Sequence, residues 1–231
     1  MDRSQRDVDL GTLGGDYSAT FDVNERGQVV GWSTIGANAA RHAVSWTPSG
    51  GIVDLGTLGG THSAAFAVSD SGHVIGQSDI AGDREVHAFL WTVTAGMVDL
   101  GTLGGDYSTA VDVNNQGQVV GQSHIVVNGF PILRAFSWTT TGGMVDLGTL
   151  GGDSSSASAV NNAGQVVGGS QTAEALDEVL HAFSWTGVEG MVDLGTIGGI
   201  FSAAVAVNDA GNVVGVSSIA GDVGVHATMW R

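Results

Sequence analysis

Short runs of alternating or small apolar residues recur along the chain, and glycine or asparagine bounds each of them. In the run from His87 to Thr92, the alternation puts His87, Phe89 and Trp91 on one face of an extended strand. Such short segments between turn residues predict β-strands. The 38 glycines also indicate strands rather than helices, because each glycine in a helix interior destabilises the helix by about 1 kcal/mol relative to alanine. The pattern predicts an all-β protein.

These runs belong to a repeat with four strand-like segments. Its marker is the sequence DLGTLGG, or DLGTIGG in the last copy, and it begins at Asp9, Asp54, Asp99, Asp146 and Asp193. The spacings are 45, 45, 47 and 47 residues. A Val-Asn-x-x-Gly turn joins the first two strands of most copies, with glycine available for a left-handed backbone.

Four antiparallel strands per repeat are typical of a propeller blade. We therefore expect one domain over residues 1–231, a five-bladed β-propeller with four antiparallel strands per blade. A β-solenoid is the main rival fold. Asp7–Leu13 has the sequence of a lone fourth strand, and the last repeat stops after its third strand. Pairing the two would complete the last blade and close the ring.

Charge and composition exclude several classes of partner. The net charge is −16, and the seven basic residues are single, scattered arginines. Such a surface repels phosphate backbones, so we expect no nucleic-acid partner. No apolar stretch approaches the roughly 20 residues that span a bilayer, and Met1–Val8 does not resemble a signal peptide. We expect no membrane insertion. There is no cysteine for a disulfide or a thiolate metal site.

The motif His-Ala-Phe-x-Trp, present at His87–Trp91 and His181–Trp185, resembles the bacterial HAF-repeat family. The DLGTLGG and Val-Asn-x-x-Gly elements also fit it over essentially the whole chain. Departures are Val44 and Thr228 in place of phenylalanine and Arg134 in place of histidine. The resemblance implies a secreted or cell-surface location. In blade number and repeat length the chain is also similar to five-bladed lectins of the tachylectin-2 type, a likeness of architecture alone.

Residues repeated in every copy are expected to be structural. A metal ring of histidines is disfavoured, because third strands would lie roughly 10 Å outside the innermost strand. We expect each histidine to hydrogen-bond the serine that ends the second strand, and each DLG aspartate to cap backbone amides. The tryptophans are expected in the core. The structural repeat positions are His42, His87, His181, His226, Trp46, Trp91, Trp138, Trp185 and Trp230.

The repeats differ most in two sets of loops, and a ligand site on a symmetric scaffold should lie where they differ. One set follows the double glycine, and the other joins strands two and three, as at residues 83–86, 128–133 and 174–179. Aromatic rings there would stack on sugars, carboxylates would accept hydroxyl hydrogen bonds, and the acidity would also suit Ca²⁺. The alternative is that these are ordinary polar loop residues. The candidate ligand-binding residues are Tyr17, His62, Tyr107, Asp16, Asp106 and Asp153.

These observations favour a non-catalytic extracellular recognition module for a glycan or protein ligand, without a cofactor. No residue is singled out as catalytic. Two other functions stay open. One is a glycosidase- or lyase-like enzyme with an asymmetric acidic site at the channel mouth, for which Asp22 and Asp112 are the hints because the other repeats have alanine there. The other is a purely structural repeat domain.

Overall fold

The computed structural model describes residues 7–37, 39–173 and 179–231, and its regular elements there are β-strands. Nineteen strands form five successive units, four with four strands and the last with three. The all-β prediction is therefore confirmed.

Strands with the same place in each unit have similar sequences. The first strands are β1 (Gly14–Val23), β5 (Gly59–Val68), β9 (Ser108–Val113), β13 (Gly151–Val160) and β17 (Gly198–Val207). The second strands are β2 (Val29–Ile35), β6 (Val74–Ile80), β10 (Val119–Val127), β14 (Val166–Thr172) and β18 (Val213–Ile219). The third strands are β3 (Ala40–Thr47), β7 (Val86–Thr92), β11 (Phe130–Thr139), β15 (Leu180–Thr186) and β19 (Val225–Trp230). The fourth strands are β4 (Gly51–Gly56), β8 (Gly96–Asp99), β12 (Gly143–Asp146) and β16 (Gly190–Asp193).

Within each unit the strands pair in chain order and antiparallel, as in β13-β14-β15-β16. Units 1 and 2 are joined into one eight-stranded sheet by a parallel bridge between Arg41 and His62. The first strands of successive units contact one another.

The hydrophobic cores lie between units. Val120, Ala135 and Leu147 of unit 3 pack with Val166 and Phe183 of unit 4, and similar clusters join units 1 and 2, 2 and 3, and 4 and 5. Four of the five repeated tryptophans expected in the core pack against one of these clusters, whereas Trp46 of unit 1 is part of none of them: the four are Trp91, Trp138, Trp185 and Trp230. Each unit therefore depends on its neighbours to bury its apolar faces.

A bulge in every first strand explains one repeated glycine. In β5 the pairing with β6 skips Phe66, and the same step occurs in the other four units. At the bulge the first strand approaches the second closely, so a Cβ on Gly76 would lie 2.0 Å from the carbonyl oxygen of Ala64. Glycine is therefore required at the third position of the Val-Val-Gly or Val-Ile-Gly motif.

The connections lie at two opposite ends of the units. The double-glycine segments and the connections between second and third strands share one end, which we call the loop face. The two tight turns of each unit share the other end, the turn face. The segment predicted as a loop at 128–133 is instead mostly strand, because Asn128 and Gly129 have φ values of 52° and 84° and form a two-residue hairpin turn. Of the loop predicted at 174–179, residues 174–178 lie outside the described residues.

The predicted fourth strand of the last unit is not formed in this structure. Residues 7–12 have no strand pairing, and within the described chain β19 pairs with β18 alone. The fourth strands of the other units are held by a tight turn from their own third strand, as Thr47↔Gly51 shows. Asp7–Leu13 has no such covalent tether to β19, so its pairing would depend on contact between units 1 and 5.

Replacing Gly76 by alanine should lower the free energy of unfolding by about 3 kcal/mol or more, because the obstructing atom belongs to the backbone. The matched control is Gly187→Ala, where the nearest atom to the new Cβ is 3.9 Å away. The control should change stability by no more than about 0.5 kcal/mol. Urea unfolding of the two variants measures the difference, and equal stabilities would contradict the close approach.

Candidate functional site

Three side chains of the loop face form a polar cluster in unit 3. The carboxylate of Asp106 lies 2.9 Å from His124 Nδ1, and the Tyr107 and His124 rings have centroids 5.2 Å apart. The backbone fixes this arrangement, since the His124 N–H donates to the Tyr107 carbonyl at 2.8 Å. The hydrogen bond from His124 holds the pKa of Asp106 below its ordinary value. The cluster thus presents a carboxylate, an imidazole and a phenol side by side.

His62, from the same predicted set, lies at the junction of units 1 and 2. Its Nδ1 accepts the Arg41 backbone N–H at 3.2 Å, and the backbone N–H of His62 donates to the Asp79 carboxylate at 3.1 Å. The Arg41 guanidinium lies 5.1 Å from the centre of the Trp32 ring, a cation–π contact. This junction therefore places a cation, an aromatic ring and an imidazole together.

The other predicted residues lie at the equivalent ends of first strands. Tyr17 is 63% exposed and its N–H donates to Thr34 Oγ1 at 3.1 Å. Asp16 precedes it on β1, and Asp153 is exposed at the start of β13. The six candidates thus lie on the loop face of four units, with Asp106 and Tyr107 as neighbours in one cluster.

Sequence reasoning missed His124 and Arg41. His124 directly follows the repeated serine of the second strand, where the other units have Thr34, Asp79, Gln171 and Ser218. In the other four units this side chain accepts a backbone N–H near the start of the first strand, whereas His124 hydrogen-bonds the Asp106 side chain just before β9. The signal was available, because this position is polar in every repeat while the residue type changes.

The repeated histidines pair with the repeated aspartates. His42 Nδ1 lies 2.9 Å from Asp54, and the same pair joins His87 to Asp99 at 2.9 Å and His181 to Asp193 at 2.8 Å. The predicted hydrogen bond from histidine to serine is wrong. The serines that end the second strands bind other groups, and a carboxylate is a stronger hydrogen-bond acceptor for histidine than a serine hydroxyl is. The predicted amide capping is confirmed, since each DLG aspartate accepts the N–H of the glycine two residues later.

Asp22 and Asp112, the hints of an asymmetric acidic site, bind backbone groups. The two oxygens of Asp112 accept the N–H groups of Val113 and Val160, each at 2.8 Å, so the side chain ties unit 3 to unit 4. Asp22 ties unit 1 to unit 2 in the same way through Val68. Burial raises the pKa of Asp112, and the nearby Asp22 charge adds to the effect. This geometry favours a structural role for both acids.

Neither a metal cluster nor a bilayer-spanning helix is found in the described part of the chain. Among residues 7–37, 39–173 and 179–231, no three His, Cys, Asp or Glu side chains come together in a group that could hold a metal ion. The same residues contain no helix long and apolar enough to traverse a membrane.

Comparisons with known proteins do not assign this chain to a family. No family model matches the chain, and no curated protein matches it. Among solved structures, the chain is similar to a gluconolactonase from Xanthomonas campestris, described as important in glucose secondary metabolic pathways, with a TM-score of 0.45 and 11% identity. The match covers 94% of this chain and 74% of that one.

Replacing His124 by alanine should raise the pKa of Asp106 towards its ordinary value, because the main hydrogen bond that lowers it is removed. NMR of the carboxyl carbon during an acid titration measures this pKa. Asp83, whose pKa is lowered by Thr61, is an internal control that should not change.

The sign of the accompanying stability effect follows from linkage. Because folding lowers the pKa of Asp106, the pair stabilises the protein above the ordinary aspartate pKa, and this contribution is lost as the pH falls through the folded value. An Asp106 pKa that is the same with and without His124 would contradict the pairing.

Proposed function

We propose that this chain is a five-bladed β-propeller that serves as a non-catalytic recognition module, with the loop face as its ligand-binding side. The proposal has two parts. The first is that units 1 and 5 pack together and close the ring. The second is that residues which differ between units on the loop face contact an extracellular ligand.

Ring closure is supported by faces that units 1 and 5 leave exposed. Val214 of unit 5 is 39% exposed, while its equivalents in the other units are fully buried: Val30, Ile75, Val120 and Val167. On unit 1, Val23 is 59% exposed, whereas Val68, Val113 and Val160 are at most 7% exposed. These are the two faces that meet at every other junction, so they are complementary to each other.

The N-terminal segment already has the local geometry of a joined unit. Asp9 accepts the Gly11 N–H at 2.9 Å, as its four equivalents do. His226 is the one repeated histidine whose aspartate partner, by position in the repeat, would be Asp9. Closure would form this fifth pair and supply the fourth strand of the last blade.

An opening at the centre of the turn face also supports a ring. It has a volume of about 270 Å³ and is lined by residues of all five units. Unit 1 contributes Glu25 and unit 5 contributes Asp209, so the two terminal units lie on the rim of one opening.

The proposed recognition role is supported by a difference between the repeated residues, which bind other parts of the fold, and the variable residues of the loop face. Three of the repeated histidines bind repeated aspartates within their units, and the repeated serines bind backbone groups. Two of the variable residues of the loop face, Tyr17 and Asp106, are exposed. Exposed rings beside carboxylates suit stacking on a sugar and hydrogen bonding to its hydroxyls. We therefore propose an extracellular glycan as ligand, with Ca²⁺ as a variable to test.

A disulfide should form between cysteines placed at Asp9 and Thr228. Thr228 and Asp9 have the repeat positions of Phe89 and Asp99. In unit 2 these two residues lie directly opposite each other on the paired strands β7 and β8. Opposed residues have Cα atoms about 4.5–5.5 Å apart, within disulfide range. The chain has no other cysteine. Because the closed loop is long, the bond should stabilise the monomer by about 4 kcal/mol.

The positive control is the Val44→Cys, Asp54→Cys pair, which lies in register within unit 1. Mass spectrometry and size-exclusion chromatography report the bond and the oligomeric state. If the control pair forms a disulfide in the monomer while the Asp9, Thr228 pair remains reduced or links separate chains, ring closure is refuted.

Glycan binding should weaken at least about tenfold when Tyr17→Ala and Tyr107→Ala are combined, since each stacked ring contributes about 1 kcal/mol. Tyr17→Phe with Tyr107→Phe should keep the binding, because the rings remain. Val188→Ala, at a 97% exposed turn-face position, is the surface control. A thermal-shift and glycan-array screen, with and without Ca²⁺, measures this. Binding that survives the alanine pair would rule out the proposed site.

A further inference from the structure

A polar network joins the turn between strands one and two to the third strand in units 1, 3 and 4. In unit 1, Asn24 Nδ2 donates to Gln28 Oε1 at 3.3 Å, and Gln28 Nε2 donates to Ser45 Oγ at 2.9 Å. The equivalent trios are Asn114, Gln118 and Ser137 in unit 3, and Asn161, Gln165 and Ser184 in unit 4.

Unit 2 replaces all three members of this network. Ser69, His73 and Leu90 stand at the positions of Asn24, Gln28 and Ser45. Leu90 offers no acceptor, so a glutamine at position 73 would leave a polar group without its partner. The three replacements are therefore compatible with one another. They exchange a chain of side-chain hydrogen bonds for the apolar Leu90 next to the His73 imidazole.

A pocket of about 400 Å³ lies next to these residues, between units 2 and 3 on the turn face. We call it the unit 2–3 pocket. Leu90, Ala95, Val98 and Trp138 give it an apolar lining, and the lining residues that carry polar side chains are His73, Thr92, Gln116 and Thr140. It lies on the side of the molecule opposite the proposed glycan face.

His73 is fixed so that one ring nitrogen is available to the pocket. Ser69 Oγ accepts the His73 backbone N–H at 3.2 Å and lies 3.3 Å from Nδ1. When the Ser69 hydroxyl donates its hydrogen to Nδ1, the ring proton of His73 lies on Nε2. Burial lowers the pKa of His73, which favours the neutral ring. Nε2 lies beside Gly117, another lining residue.

We propose that the unit 2–3 pocket binds a small, uncharged aromatic molecule that carries one hydrogen-bond acceptor. The ring would pack on Trp138 and Leu90, and the acceptor would receive the His73 Nε2–H. The volume is at the small end of the range of about 300–1,000 Å³ found for ligand pockets. None of the described residues that line the pocket is Asp, Glu, Lys or Arg, so a charged ligand would lose its hydration without gaining a partner. A sugar would leave most of its hydroxyls against apolar walls.

The first experiment is an NMR titration with benzamide, which has one ring and one amide carbonyl. Saturable shifts are expected at the Trp138 indole N–H and at His73, with Trp185 as the unaffected reference. Benzoate and methyl β-glucoside should bind at least about tenfold more weakly than benzamide, because one is charged and the other is polyhydroxylated. Absence of saturable shifts with benzamide, or stronger binding of the glucoside, overturns the proposal.

The chain itself supplies the matched variant. Ser69→Asn, His73→Gln and Leu90→Ser together rebuild in unit 2 the network of units 1, 3 and 4, and should weaken benzamide binding at least tenfold while the protein stays folded. The reverse set in unit 3, Asn114→Ser, Gln118→His and Ser137→Leu, should create a second benzamide site beside Trp185.

A separate variant covers the case in which the rebuilt unit does not fold. Val98→Trp fills the pocket from a position that is 36% exposed, without touching the network, and should also abolish the benzamide shifts. Unchanged benzamide affinity in either folded variant overturns the proposal. Glycan binding at the loop face should be the same in all of these variants, so the two proposals fail independently.

Discussion

The structure depends on burial of apolar faces between successive four-stranded units. Each core cluster draws its members from two neighbours, and the fully buried phenylalanine of each of three units, Phe89, Phe136 and Phe183, packs with residues of the unit before it. A single unit in water would expose both faces. Because the hydrophobic effect is roughly proportional to the apolar area removed from water, each added unit stabilises the one before it. Burial of their exposed apolar faces would likewise favour contact between units 1 and 5.

Buried hydroxyls turn this apolar contact into a fixed orientation. At each junction an alanine N–H of one unit donates to a serine of the next, as Ala43 does to Ser63 Oγ at 2.8 Å. Ser63 in turn donates to the Gly56 carbonyl at 2.6 Å. A buried polar group that loses its partner costs about 1–3 kcal/mol, so a slipped junction would be penalised several times over. Residues on the loop face and the turn face do not make these junction bonds, so they can differ between units without disturbing the junctions.

Much of the fold could be predicted from the sequence because the repeat shows it five times. The strand pattern and the turn glycines are local features, so the sequence predicts them correctly in most units. The His42–Asp54 pair was not foreseen because its members are twelve residues apart and meet only through the register of a hairpin. The Asn128-Gly129 turn was missed because the length of the segment suggested a loop. The unit 2–3 pocket could not be predicted from the sequence. The hydrogen-bond network that Ser69, His73 and Leu90 replace joins residues that are far apart in the chain, so only the folded structure relates these three positions.

The most direct test of the account is the exchange rate of one backbone amide, that of Ala227. Its equivalents Ala43, Ala88, Ala135 and Ala182 are fully buried and donate to serines of the next unit. If units 1 and 5 close the ring, the Ala227 N–H should be bonded to Ser18 and exchange with deuterium as slowly as that of Ala182. Rapid exchange of Ala227 in a folded protein whose Ala182 is protected would contradict the account.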